Sequence, residues 1–70
     1  MKNVFKSQLS VLRQRKRISQ EVLAQKLFVS RQSVSQWENG DAEPDIDKLI
    51  SLSDIFAVDL DFLLAGKQRT

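Results

Sequence analysis

The stretch Gln20–Gly40, QEVLAQKLFVSRQSVSQWENG, constrains this chain more than any other. It holds two short patterns of helical period separated by a four-residue break around Phe28–Val29. A helix from Ser30 places Val34 and Trp37 on one face at i, i+3 spacing, with Glu38 near them. Arg31, Gln32, Ser35 and Gln36 then point the other way. That outward set offers a guanidinium fork and two carboxamides, the side chains best shaped to hydrogen-bond base edges. A polar outer face is common to every amphipathic helix, so the face carries weight only together with the short helix before it.

A chain of 70 residues makes one domain, 1–70, and at this size folding buries only about 60% of the unfolded surface. Cysteine and histidine are both absent. Disulfides and the usual zinc sites are therefore excluded, which fits a reducing, cytoplasmic setting and leaves no cofactor to expect. Apolar runs of only a few residues provide neither a membrane span nor a signal-peptide core. Serines are plentiful but no histidine can activate one. With no glycine-rich phosphate cradle and too little chain for a deep pocket, neither an enzyme nor a small-molecule receptor is expected.

The net charge of +2 hides a lopsided distribution. Residues 1–40 carry eight lysines and arginines against Glu21 and Glu38, whereas residues 41–70 carry Lys48, Lys67 and Arg69 against seven carboxylates. One end attracts a polyanion and the other repels it, which orients as well as attracts. The same pattern also serves a plain solvated surface.

Five short helices account for nearly the whole chain. The first runs from about Asn3 or Val4 to about Lys16, with Phe5, Leu9 and Leu12 as its inward stripe. Arg15, Lys16 and Arg17 crowd its last turn, where cations suit the helix dipole. Ser19 caps the second helix, whose Leu23, Ala24 and Leu27 face inward. Ser30 caps the third, and Asn39–Gly40 closes it, Gly40 supplying the positive φ a helix C-terminus favours. After the acidic connection ending at Pro44, Asp45 caps a fourth helix bearing Ile46, Leu49, Ile50, Leu52 and Phe56. Asp59 caps a short fifth with Leu60, Leu63 and Leu64 inward, before a flexible tail at about 66–70.

The stretches LRQRKRISQEVLAQKL, VSRQSVSQWENG, EPDIDKLISLSDIF and VDLDFLLAG together resemble the Cro/C1-type, or XRE, helix-turn-helix domain across residues 4–65. The resemblance implies an all-α, compact five-helix fold of the lambda-repressor type, with the helix-turn-helix unit at about 20–39. It also implies double-stranded DNA as partner and a homodimer on an inverted-repeat operator. Arg31, Gln32 and Gln36, with Ser35 between them, match base-reading positions. Gln20 stands at the start of the second helix, where backbone N–H groups favour a phosphate. Ser30, Ser33 and Asn39 join it as phosphate contacts. Arg13 and Glu38 match a structural ion pair between the first and third helices.

Two departures from the family pattern stand out. Arg17, Phe28 and Ala57 occupy positions where many members have glycine, and a left-handed backbone there costs a non-glycine residue about 1 kcal/mol. The loop Asp41 to Asp45 is acidic where some phage relatives are basic, so it cannot grip phosphates through cations. Phe62 has two readings. It either folds back on Ile55 or Phe56, or it joins Ile55 in a dimer interface. The function expected is a sequence-specific transcriptional regulator, a repressor by occupancy. The alternative is a protein-binding module on the same fold, such as an antitoxin or regulatory adaptor.

Overall fold

The computed structural model describes residues 5–65. Five helices fill them: α1 (Phe5–Arg15), α2 (Gln20–Leu27), α3 (Arg31–Asn39), α4 (Ile46–Phe56) and α5 (Leu60–Ala65). The start of the first helix at Asn3 or Val4 and the tail at 66–70 lie outside the described residues. Between α2 and α3 the break is residues 28–30, one shorter than the sequence pattern suggests.

The starts of α2, α3, α4 and α5 are each set by a local side chain. The Ser19 Oγ accepts from the Val22 N–H at 3.1 Å, and the Ser30 Oγ accepts from the Ser33 N–H at 3.1 Å. Asp45 Oδ1 accepts from Lys48 N–H at 3.0 Å, and Asp59 Oδ1 from Phe62 N–H at 2.8 Å. Each cap satisfies a backbone donor that the first turn leaves without an intrahelical partner.

The first four helices end in one repeated way. A residue in the left-handed region follows each of them: Arg17 (φ 57°), Phe28 (φ 59°), Gly40 (φ 83°) and Ala57 (φ 54°). The next N–H then reaches back five residues, from Ile18 to Arg13 O, Val29 to Ala24 O, Asp41 to Gln36 O and Val58 to Ser53 O, at 2.9–3.2 Å. This is the Schellman closure. Ile18, Val29 and Val58 each pack on the core just past the turn, so burial of the following residue offsets the left-handed strain at its neighbour. Three of the four turns therefore work without glycine.

The core takes Phe5, Leu9 and Leu12 from α1, Leu23, Ala24 and Leu27 from α2, and Val34 and Trp37 from α3. Leu52, Phe56 and Leu63 close it from α4 and α5. Burying a Leu or Val side chain completely contributes about 1.5–3 kcal/mol, and six do so here, Leu9, Leu23, Leu27, Leu52, Leu63 and Val34. Ala24, 2% exposed, is the one small residue of the core.

Not every apolar position turns inward. On α4, Leu52 and Phe56 are buried while Ile46 is 59% and Ile50 47% exposed. These two isoleucines are one turn apart and leave about half of their surface to solvent. Phe62 does not project freely from α5. It is half-buried against the core, as is Ile55, and its carbonyl accepts from Gln8 Nε2 of α1 at 3.4 Å. Packing of α5 on α1 covers the side of this short helix that its own leucines leave open.

Candidate nucleic-acid interface

The third helix divides cleanly. Val34 and Trp37 are sealed in the core, fixing the helix by one face, while Arg31, Gln32, Gln36 and Asn39 are exposed. Ser33 and Ser35 are half-buried at the margin. At its N-terminus the Ser30 and Ser33 hydroxyls lie 3.0 Å apart, beside the first-turn backbone amides. The fold thus presents Arg31, Gln32, Ser35 and Gln36 on one side of a rigidly seated helix.

Behind this surface lies the ion pair. Arg13 Nε stands 2.7 Å from Glu38 Oε2, and Nη2 stands 3.1 Å from Oε1. The third fork nitrogen, Nη1, donates to the Ile18 carbonyl at 3.0 Å. Both side chains are largely covered, at 15% and 8% exposure. The hydrogen bond to Glu38, aided by the attraction of its charge, holds the Arg13 guanidinium above its ordinary pKa despite burial. Glu38 is the sole carboxylate of α3, and Arg13 neutralises it from behind. The exposed face of the helix is left with Arg31 as its only charge.

Gln20 joins the two. Its Nε2 donates to Glu38 Oε1 at 3.1 Å, and its Oε1 accepts from Arg31 Nη1 at 3.3 Å. Sequence reasoning placed Gln20 beside a phosphate and missed both of these contacts. They join residues eleven and eighteen positions apart, beyond the reach of any local pattern. Also missed was the exposure of Phe28, 92%, in the turn itself. The signal for it was the left-handed turn position, which directs the side chain away from both helices.

Among the described residues, no cluster of His, Cys, Asp or Glu is arranged to hold a metal, and no helix is long and apolar enough to cross a membrane. A helix capped at Ser19, a tight turn and a second helix with a polar outer face form a helix-turn-helix. A helix-turn-helix family model matches residues 9–63. The chain belongs to the XRE-type helix-turn-helix family and has the helix-turn-helix DNA-binding fold.

Its relatives agree. It is 41% identical over 64 residues to the HTH-type transcriptional activator BcrR of Enterococcus faecalis, covering 91% of this chain and 31% of that protein. It is 38% identical over 66 residues to the HTH-type transcriptional regulator YqaE of Bacillus subtilis, covering 94% of this chain and 57% of that one. The chain therefore spans well under two thirds of either. Among solved structures, a transcriptional regulator from Listeria innocua superposes with TM-score 0.90 at 28% identity, over 100% of this chain and 65% of that one. The P22 c2 repressor, solved in complex with a synthetic operator, superposes with TM-score 0.85 at 30% identity, over 90% and 96%.

Proposed function

We propose that this domain binds double-stranded DNA sequence-specifically and regulates transcription in the cytoplasm. Two copies related by a two-fold axis insert α3 into successive major grooves about 34–36 Å apart over an inverted repeat. Arg31, Gln32, Ser35 and Gln36 read base edges. Gln20, Ser30, Ser33 and Asn39 hold phosphates, Gln20 through the second hydrogen of its amide. Ile55 and Phe62, half-buried at the surface of α4 and α5, form the dimer contact. Repression follows from occupancy of promoter DNA.

One observation carries this reading. The exposed side chains of α3 are three amides and a guanidinium, and the helix's carboxylate is turned back onto Arg13. With that carboxylate held from behind by Arg13, the outer face of α3 carries no negative charge against a polyanion. The resemblance to the P22 c2 repressor, solved on operator DNA, supports the same assignment.

The test begins with DNA selected from a random pool. Gln32→Ala and Gln36→Ala each lose about 1–3 kcal/mol on the selected site with little loss on random duplex. Equal losses on both duplexes would remove these residues from the reading role.

A further inference from the structure

Phe28 is the most exposed large apolar side chain among the described residues, at 92%, and it stands in the turn between α2 and α3. Its backbone is held on both sides. The Phe28 N–H donates to the Gln25 carbonyl at 3.3 Å, and the Val29 N–H donates to the Ala24 carbonyl at 3.0 Å. Leu27 before it is buried, Val29 after it packs on the core, and the Ser30 hydroxyl caps α3. The ring is thus carried on an anchored backbone and touches almost nothing of its own fold.

The surroundings of the ring define what it can meet. From Val22 to Trp37 the chain carries Lys26 and Arg31, both exposed, and no carboxylate. Glu21 stands about two turns back along α2, and Glu38 is held by Arg13. A ring flanked by cations fits a partner that is anionic overall and apolar locally. A duplex is such a partner. Each thymine sets a 5-methyl group in the major groove, and phenylalanine is among the side chains that pack on it.

The ring is also within range. Phe28 and Arg31 are three peptide units apart, so their Cα atoms are separated by at most about 11 Å, whereas base pairs stack about every 3.4 Å. On the proposed docking the N-terminal end of α3 leads into the groove, which brings the ring to the base pairs bordering the one Arg31 faces.

We propose that Phe28 is a specificity-determining residue, its ring packing on the 5-methyl group of a thymine that borders the base pair faced by Arg31. This rests on the reading of α3 as the helix that enters the major groove. It extends the reading surface into the turn before α3 and adds an apolar contact to a set of amides, hydroxyls and a guanidinium.

Phe28→Gly removes the ring at a left-handed position that glycine adopts freely, so the variant folds. Phe28→Asn also tolerates that backbone and covers the case in which glycine loosens the turn. On the selected duplex each variant binds about 3- to 10-fold more weakly, and the slope of log affinity against log salt is unchanged because no charge is lost. Replacing the thymines of that duplex one at a time with deoxyuridine removes a single methyl group each time. At one of them the parent loses about 2- to 5-fold and both variants lose nothing. That thymine lies beside the base pair at which Arg31→Ala relaxes the preference.

If every deoxyuridine duplex weakens parent and variants by the same factor, the ring touches no methyl group and the proposal is overturned. A selected site without thymine beside that base pair overturns it as well. Equal losses for the variants on selected and random duplexes would assign the ring to the sugar–phosphate wall instead, and unchanged affinity with an altered sedimentation profile would make it a protein contact. Each of these results leaves the DNA-binding reading standing. A parent that binds no duplex removes that reading and this proposal together.

Discussion

Arg13 of α1 and Glu38 of α3 meet fork to fork, Nε to Oε2 at 2.7 Å and Nη2 to Oε1 at 3.1 Å, tying the first helix to the third. Covered pairs of this kind contribute little net stability, because desolvation consumes most of the attraction. Their removal one side at a time is another matter. Arg13→Met strands a covered carboxylate and Glu38→Met a covered guanidinium, so each single variant loses about 3–5 kcal/mol in urea denaturation. The double variant recovers most of that loss. Additive losses would show that the two side chains stabilise the fold independently. The raised pKa of Arg13 keeps its contribution intact below its ordinary value and loses it only at still higher pH, so this group imposes no pH dependence near neutrality.

The left-handed turns make opposite predictions at two positions. Phe28 carries φ 59° with its side chain almost wholly in solvent, so Phe28→Gly relieves strain and forfeits little packing. A rise of about 1 kcal/mol in unfolding free energy is expected. Gly40 sits at φ 83°, and a Cβ there would stand 3.0 Å from Lys6 Cδ. The lysine stem can yield but the backbone cannot, so Gly40→Ala loses about 1 kcal/mol. Thermal melts of the two variants should move in opposite directions; a shared direction would remove the backbone as the cause.

What the sequence revealed and what it hid divide along the range of the interaction. Ser19, Ser30, Asp45 and Asp59 were legible as caps because each bonds an N–H three residues on, within one turn. Val34 and Trp37 were legible from periodicity. The left-handed turns at Arg17, Phe28 and Ala57 were visible only through resemblance, since neither Arg nor Phe nor Ala favours that conformation. Ile46 and Ile50 read as apolar helix positions, yet which of several apolar faces a helix buries is decided by its neighbours. The Glu38–Gln20–Arg31 chain of contacts was hidden for the same reason: only the folded crossing of α2 over α3 creates it.

The proposed dimer contact yields a separate test. Ile55 and Phe62 are half-buried against their own core, so their remaining surface can serve an interface without being needed for folding. Phe62→Glu introduces a charge that a close apolar contact would have to desolvate, and self-association should be lost in sedimentation. The capped N–H of Phe62 is a backbone contact and survives the substitution. An unchanged sedimentation profile in a folded variant would place the dimer contact elsewhere.

On the proposed function, the acidic connection after α3 limits how tightly one domain holds a duplex. Asp41 and Glu43 are exposed, and their side chains cap no helix, unlike Asp45, which holds the Lys48 N–H. Replacing both with lysine exchanges two charges that repel a polyanion for two that attract it, near the end of α3. Affinity should rise on selected and random duplexes alike, because charge on the phosphate backbone carries no sequence information. The slope of log affinity against log salt should steepen by about 0.9 for each new phosphate contact, hence by about 2 if both lysines engage. The ratio of specific to non-specific affinity should stay near the parent's, since Arg31, Gln32 and Gln36 are untouched. An unchanged salt slope would mean that this loop faces away from the duplex. A raised specificity ratio would mean that it contributes to sequence discrimination.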